Sequence, residues 1–332
     1  MNPILYIVIP CYNEEEVLPK TAERLLQKLR ALVESDAVSR RSRICFVNDG
    51  SKDSTWEIIR SLHDDNHYFS GVNLSRNRGH QNALLAGLMT VLDRCDVTIS
   101  MDADLQDDIE AVDLMLAKYF EGYDIVYGVR SSRNTDTAFK HVTALFYYRL
   151  LAKFGVESIY NHADYRLMSR SLEGLAEFKE VNLFLRGMVP LVGFPSTTVK
   201  YARGERFAGE SKYPFRKMAS FAIEGITSHS VKPIRFITSL GVVIFIAAII
   251  VAIVFIVQFV LDMTVPGWAS TIVSIWALGG LQLLAIGVIG EYIGKIYLET
   301  KARPRFLIQD FLDKPENRDD HHSVAEHDKD RV

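Results

Sequence analysis

Short apolar runs punctuate the first 130 residues. Residues 5–9 run into Pro10, 44–47 close on Asn48-Asp49-Gly50, and 72–74 and 97–101 each stop at polar side chains. A last run, 125–127, ends at Gly128. Apolar runs this short, bounded by turn formers, predict buried strands. Between them, apolar residues recur at helical spacing: Val17, Leu18, Leu25, Leu26 and Leu29, then 55–62 behind Ser54 as a cap, then 81–91 and 109–120. Strands alternating with helices predict an α/β domain with a mostly parallel sheet over residues 1–213.

The pattern then changes. Between Phe236 and Gly290 the only charged residue is Asp262. Residues 236–261 and 268–293 are each long enough to cross a ~30 Å hydrocarbon core as a helix, and the segment between them, with Pro266-Gly267, predicts a hairpin. Arg216, Lys217, Lys232 and Arg235 precede the first run, Lys295, Lys301, Arg303 and Arg305 follow the second, and the hairpin has no Lys or Arg. The positive-inside rule therefore places both termini and the front domain in the cytoplasm. Phe215, Met218, Ala219, Ala222, Ile223 and Ile226 share one helical face, so residues 214–235 predict an amphipathic juxtamembrane helix on the membrane surface. Residues 294–332 form a charge-rich cytoplasmic tail, expected to be disordered after about 309.

Composition narrows the reading. The 332 residues suit about two units. With 48% hydrophobic and 24% charged residues, the chain is neither disordered nor fibrous. A net charge of −3 argues against nucleic acid as a partner, and three cysteines argue against a disulfide framework.

In a parallel sheet the chemistry belongs at the carboxyl ends of the strands. The residues standing there are Pro10-Cys-Tyr-Asn-Glu14, Asn48-Asp-Gly-Ser-Lys-Asp53, Asp102-Ala-Asp-Leu-Gln106 and Gly128-Val-Arg-Ser-Ser-Arg133. Asp102 and Asp104 are delivered together by one apolar strand, with Gln106 two residues on. Hard oxygen donors of this kind suit Mg²⁺ or Mn²⁺. An EF-hand is excluded, because Asp107 stands where its glycine is required. The first strand is not followed by Gly-x-Gly-x-x-Gly, which disfavours a dinucleotide site.

These segments resemble glycosyltransferase family 2, in its polyprenyl-phosphate branch of bactoprenol glucosyltransferases and dolichol-phosphate mannose synthases. The matching motifs are Val8-Ile-Pro-Cys-Tyr-Asn-Glu-Glu15, Asn48-Asp-Gly-Ser51, Ser75-Arg-Asn-Arg-Gly-His-Gln81, Asp102-Ala-Asp-Leu-Gln106, Ala163-Asp-Tyr-Arg-Leu-Met168, Phe184-Leu-Arg-Gly187, the segment from Arg203 to Tyr213, and Gly290-Glu-Tyr-Ile-Gly294.

The resemblance implies a GT-A type nucleotide-sugar-binding domain. It implies an inverting, metal-dependent transfer of a sugar, glucose first and N-acetylglucosamine or another sugar as the alternative, from a UDP-sugar to undecaprenyl phosphate at the bacterial cytoplasmic membrane. By resemblance, Pro10, Tyr12, Glu14, Asp49 and Asp102 hold the nucleotide. Asp104 and Gln106 ligate the metal, with Asp102 joining directly or through water. Asp164 is a base or an acceptor-positioning carboxylate, or else simply the partner of Arg166. Arg130, Arg133, Arg203, Arg206, Ser211 and Lys212 are expected to clamp the diphosphate and the acceptor phosphate. A homo-oligomer is expected from Gly279-Gly280, Gly287 and Gly290, with a flippase and a downstream transferase as further partners. A processive synthase is disfavoured, because Trp56, Trp268 and Trp276 lie in no Gln-x-x-Arg-Trp motif. A non-catalytic scaffold or flippase component is the competing class.

Overall fold

The computed structural model describes residues 2–104, 106–130, 162–202, 232–260 and 267–313. The front of the chain runs β1 (Leu5–Cys11), α1 (Leu18–Glu34), β2 (Arg43–Asn48), α2 (Thr55–Asp65), β3 (Phe69–Leu74), α3 (His80–Val91), β4 (Val97–Ser100), α4 (Ala111–Phe120) and β5 (Ile125–Arg130). Further along come β6 (His162–Met168), α5 (Ser171–Ala176), α6 (Leu185–Leu191) and β7 (Ser196–Tyr201). The chain continues with α7 (Lys232–Val260), α8 (Trp268–Lys301) and β8 (Ile308–Leu312).

These eight strands lie in one sheet, ordered β7-β5-β6-β4-β1-β2-β3-β8. β1 pairs in parallel with both β2 and β4, β2 with β3, and β5 with β7; β6 and β8 run against their neighbours. The mostly parallel sheet expected from the sequence is therefore present, with two strands reversed. Strand direction decides what reaches each edge. Because β6 is antiparallel to β4 with Ser100 opposite Arg166, its early residue Asp164 arrives at the edge where β4 ends.

Every residue of β1, β2, β3 and β4 is buried, as a strand covered on both faces must be. Alternate side chains of β1 serve two cores. Leu5, Ile7 and Ile9 join Leu18, Leu25 and Leu29 of α1, Trp56 and Ile59 of α2, and Met115 of α4. Tyr6 and Val8 face α3, α5 and α6 through Leu84, Leu88, Leu172 and Met188. Gly87 lets α3 approach closely, since a Cβ there would stand 2.5 Å from both Val8 and Val47 side chains.

Two sequence expectations are corrected. The tail does not become irregular at about 309. Ile308–Leu312 is an antiparallel edge strand on β3, with Val72 opposite Phe311. Phe311 and Phe306 pack on the core beneath α3, and Asn73 Nδ2 donates to Asp310 Oδ2 at 2.9 Å, which gives this polar segment a place to fold against. The second apolar helix is also longer than 268–293. It continues to Lys301 and ends at Ala302, held in the left-handed region (φ 44°) ahead of Pro304. Both C-terminal helices are long and apolar enough to cross a membrane, and among the described residues nothing buries their apolar windows. Of the expected juxtamembrane segment 214–235, residues 232–235 already belong to α7, which starts four residues ahead of the expected 236; residues 214–231, most of the hairpin and the tail beyond 313 lie outside the described residues.

Candidate active site

The sheet order reverses at β1: the chain proceeds to β2 and β3 on one side and places β4 on the other. The crevice beyond the carboxyl ends of β1 and β4 is where such sheets bind ligands, and the candidate residues gather there.

One wall is built from three loops laced together. After β1, Asn13 adopts φ 55°, a conformation Asn tolerates. Its backbone N–H donates to Ser51 Oγ (3.0 Å), and its side-chain oxygen accepts from Lys52 N–H (2.9 Å). The Glu14 N–H donates to Thr55 Oγ1 (2.9 Å). Asp49 is buried, and its two oxygens accept the N–H groups of Arg78 (2.6 Å) and Gly79 (2.9 Å). Burial pushes the Asp49 carboxyl up against those two hydrogen bonds. Asp49 therefore ties down the loop after β3. Gly50 (φ 65°) permits this close approach, because a Cβ there would lie 2.5 Å from Asn77 N. Pro10 is buried in β1, Glu14 is half-buried, and Tyr12 is exposed at the crevice mouth.

The opposite wall carries the carboxylates. Asp102 and Asp104 follow β4 and are half-buried, while Gln106 and Asp107 are buried. Asp104 Oδ1 accepts from Gln106 N–H at 3.2 Å, which turns the chain so that both side chains belong to one bend. Burial raises the Asp102 carboxyl to about 6. The charge of His80 opposes this, and the neighbouring carboxylates Asp107, Asp164 and Asp104 add to it. Asp107 Oδ1 accepts from Tyr201 Oη at 2.5 Å, and its Oδ2 is buried with no hydrogen-bond partner among the described residues.

Asp102, Asp104 and Gln106 fit a hard divalent cation. Among the described residues no group of three or more His, Cys, Asp or Glu closes around a metal. Such an ion would therefore complete its shell from water and ligand oxygens, as Mg²⁺ ordinarily does.

Asp164 forms the centre of the third side. Arg166 Nη2 meets its Oδ1 at 2.6 Å from within the sheet, Arg186 Nη2 meets its Oδ2 at 3.2 Å from the first turn of α6, and His80 Nε2 stands 3.4 Å from Oδ2. His80 also stands 3.6 Å from Asp102 Oδ1, bridging the two carboxylates. Burial works to raise the Asp164 carboxyl, but the His80 hydrogen bond and the charges of Arg166 and Arg186 hold it well below the usual carboxylate range.

The fold thus brings Asp102, Asp104, Gln106, Asp164 and the β1 loop to one edge. Arg130 is there too, with its Nε donating to Tyr201 Oη (3.3 Å) and its Nη2 3.6 Å from Asp107 Oδ1. Arg133, Arg203, Arg206, Ser211 and Lys212 lie outside the described residues. The sequence reading assigns no role to His80 or Arg186, although both stand in segments that carry the family resemblance. Each lies in the first turn of a helix at the sheet edge, which is the available signal.

A doubly covered sheet with carboxylates and cations converging at its switch point defines an α/β enzyme. The family described as Glycosyl transferase family 2 matches residues 6–174, and the chain belongs to that family: it is a glycosyltransferase. It is 54% identical over 308 residues to the uncharacterized glycosyltransferase YkoT of Bacillus subtilis, covering 92% of this chain and 91% of that protein. It is 41% identical over 311 residues to the bactoprenol glucosyl transferase of Shigella phage SfX, covering 91% of this chain and 98% of that protein. Among solved structures, mannosyltransferase PcManGT from Pyrobaculum calidifontis overlaps with a TM-score of 0.44 and 16% identity, covering 90% of this chain and 85% of that one.

Proposed function

We propose that the protein transfers a sugar, glucose first, from a UDP-sugar to undecaprenyl phosphate at the cytoplasmic face of the bacterial inner membrane, with inversion at the anomeric carbon and with Mg²⁺ or Mn²⁺ bound. The observation that carries this reading is the similarity to a bactoprenol glucosyl transferase over 98% of that protein's length, since it extends beyond the front domain into the two apolar helices. A GT-A type domain held against the bilayer by those helices meets a lipid phosphate at the surface where it resides.

In this reading the crevice beyond β1 and β4 holds the donor. Tyr12, Glu14 and the loop tied by Asp49 form the nucleoside end. Asp104 and Gln106, with Asp102, would hold the cation, which supplies neutralising charge for the leaving diphosphate. An acceptor phosphate oxygen attacks the anomeric carbon, the bond from that carbon to the diphosphate breaks, and UDP departs with the electron pair. A phosphate monoester is largely ionised near neutral pH, so no strong base is needed. Asp164, held well below the ordinary carboxylate range, is a weak base. Its role in this mechanism is to orient His80 and Arg186, whose positive faces receive the acceptor phosphate. Arg130 completes the cationic lining on the β5 side.

The test is a donor screen with the full-length protein in lipid, undecaprenyl phosphate, either cation and several nucleotide sugars, with the lipid product weighed by mass spectrometry. A hexosyl phospholipid from UDP-glucose that disappears in Asp104→Asn is the expected result. A product only from UDP-N-acetylglucosamine would replace the sugar. Retained UDP-glucose binding with no lipid product from any donor would overturn the acceptor.

A further inference from the structure

The end of the second apolar helix is bonded directly into the segment that carries Arg186. α8 has 34 residues and, at ~1.5 Å per residue, is about 51 Å long, so it outlasts a ~30 Å hydrocarbon core by several turns. In its last turn, Glu299 Oε2 accepts the backbone N–H of Val181 at 2.8 Å. Its Oε1 accepts the backbone N–H of Asn182 at 2.8 Å and the Asn182 side-chain amide at 2.7 Å. Just beyond the helix, Arg305 Nη2 donates to the carbonyl of Phe178. Residues 178–182 are thereby gripped at both ends by side chains from the foot of α8.

That strap leads straight into α6. Leu185 N–H donates to Gln81 Oε1 at 2.9 Å, which fixes the start of α6 against α3, beside His80. Arg186 follows, with its guanidinium on both oxygens of Asp164. Arg186 lies only four positions beyond Asn182, a stretch too short for a slack loop to absorb. A carboxylate taking two successive main-chain N–H groups and a side-chain amide is a stiff, charge-assisted clamp.

We infer that Glu299 is a positioning residue: it couples the foot of the second apolar helix to Arg186 and Asp164, and so sets the acceptor side of the site at a fixed height over the membrane. This rests on the lipid-phosphate reading given above. The nucleoside side is built from the β1, β2 and β3 loops, and its hydrogen bonds run among those loops. The clamp therefore acts on acceptor turnover and leaves nucleotide binding alone.

The test uses full-length protein in lipid nanodiscs with undecaprenyl phosphate and UDP-glucose. Glu299→Ala should lower kcat on the lipid acceptor about tenfold or more, the scale of one lost charge-assisted hydrogen bond. The Kd for UDP should stay as in the parent protein, and Glu299→Gln, which retains one acceptor oxygen, should recover part of the loss. In an Arg186→Ala background, Glu299→Ala should add little. Hydrogen exchange at residues 181–187 should quicken in Glu299→Ala, a readout that needs no turnover. Unchanged kcat, a loss that simply multiplies that of Arg186→Ala, or a parallel loss of UDP affinity would each overturn the coupling. If the parent protein forms no lipid product, the functional reading falls, while faster exchange reaching Arg186 still upholds the clamp and unchanged exchange removes it. If Glu299→Ala does not fold, Glu299→Gln carries the same comparisons.

Discussion

Arg166 and Asp164 form a buried ion pair, 2.6 Å between Nη2 and Oδ1, with both residues less than a tenth exposed. The pair sits where β6 meets the ends of β4 and β5, so it belongs at once to the sheet and to the site. A buried pair is weak evidence for net stability, but removing one member leaves an uncompensated charge, at a cost of roughly 3–5 kcal/mol.

Asp164→Asn should therefore destabilise the protein by about 3 kcal/mol or more as well as abolish transfer. Combining it with Arg166→Met should restore part of the stability and none of the activity. Thermal unfolding and a lipid-transfer assay on the single and double variants separate the two roles. Transfer retained by the double variant would remove Asp164 from the mechanism.

Gly50 holds the nucleoside end of the site by leaving room for the loop after β3. Its positive φ and the 2.5 Å gap to Asn77 N leave no room for a Cβ. Gly50→Ala should push the 75–79 loop away from Asp49, cost about 1–3 kcal/mol, and weaken UDP binding about tenfold. Calorimetric titration with UDP checks it, and unaltered affinity would show that the loop after β3 does not shape the nucleoside end.

Much of this architecture is legible in the amino-acid sequence. β1 to β5 announce themselves because each is a short apolar run stopped by polar residues, and the carboxylates after β4 fall where a parallel sheet places its chemistry. β6 does not read as a strand, since His162–Met168 carries Asp164 and Arg166 in its midst, and Arg166 is buried by pairing with Asp164 and donating to the Leu185 carbonyl. β8 is hidden for a similar reason: Asp310 reads as solvated until Asn73 is placed beside it. The pairing of Asp164 with Arg166, two residues apart on one strand, is open to a sequence reading, whereas the convergence of His80 and Arg186 on Asp164 is a product of strand order, which no local pattern encodes. The longer reach of α8 escapes hydropathy, which marks where apolar residues stop, whereas a helix continues until its backbone is broken, here at Ala302.

The C-terminal strand should matter more than its polar sequence suggests. Truncation after Leu307 would expose the edge of β3 and leave Asn73 Nδ2 without Asp310, a buried amide whose loss of partner costs about 1–3 kcal/mol. A bare edge strand also invites pairing with other chains. The truncated protein should unfold at lower temperature and show larger species on size exclusion, and Asp310→Ala should give the thermal shift without the association. A truncated protein as stable as the full chain would make β8 an ornament of the fold.

Arg186 offers the sharpest separation of charge from geometry. Its Nη2 and Nε reach both oxygens of Asp164 at 3.2 and 3.3 Å, a planar fork that a lysine ammonium cannot reproduce. Arg186→Lys keeps the positive charge and the burial of Leu185 and Met188 around it, so the fold should survive with little change in thermal midpoint. The acceptor phosphate, however, would meet a point charge in place of the fork. Losing one hydrogen bond to a charged group is worth about 1.5–3 kcal/mol, so kcat/KM for undecaprenyl phosphate should fall about 10- to 100-fold while UDP affinity is retained. Steady-state kinetics with varied lipid phosphate, beside UDP titration, gives both numbers. If Arg186→Lys matches the parent in kcat/KM, the fork has no part in acceptor recognition and Arg186 serves only to neutralise Asp164.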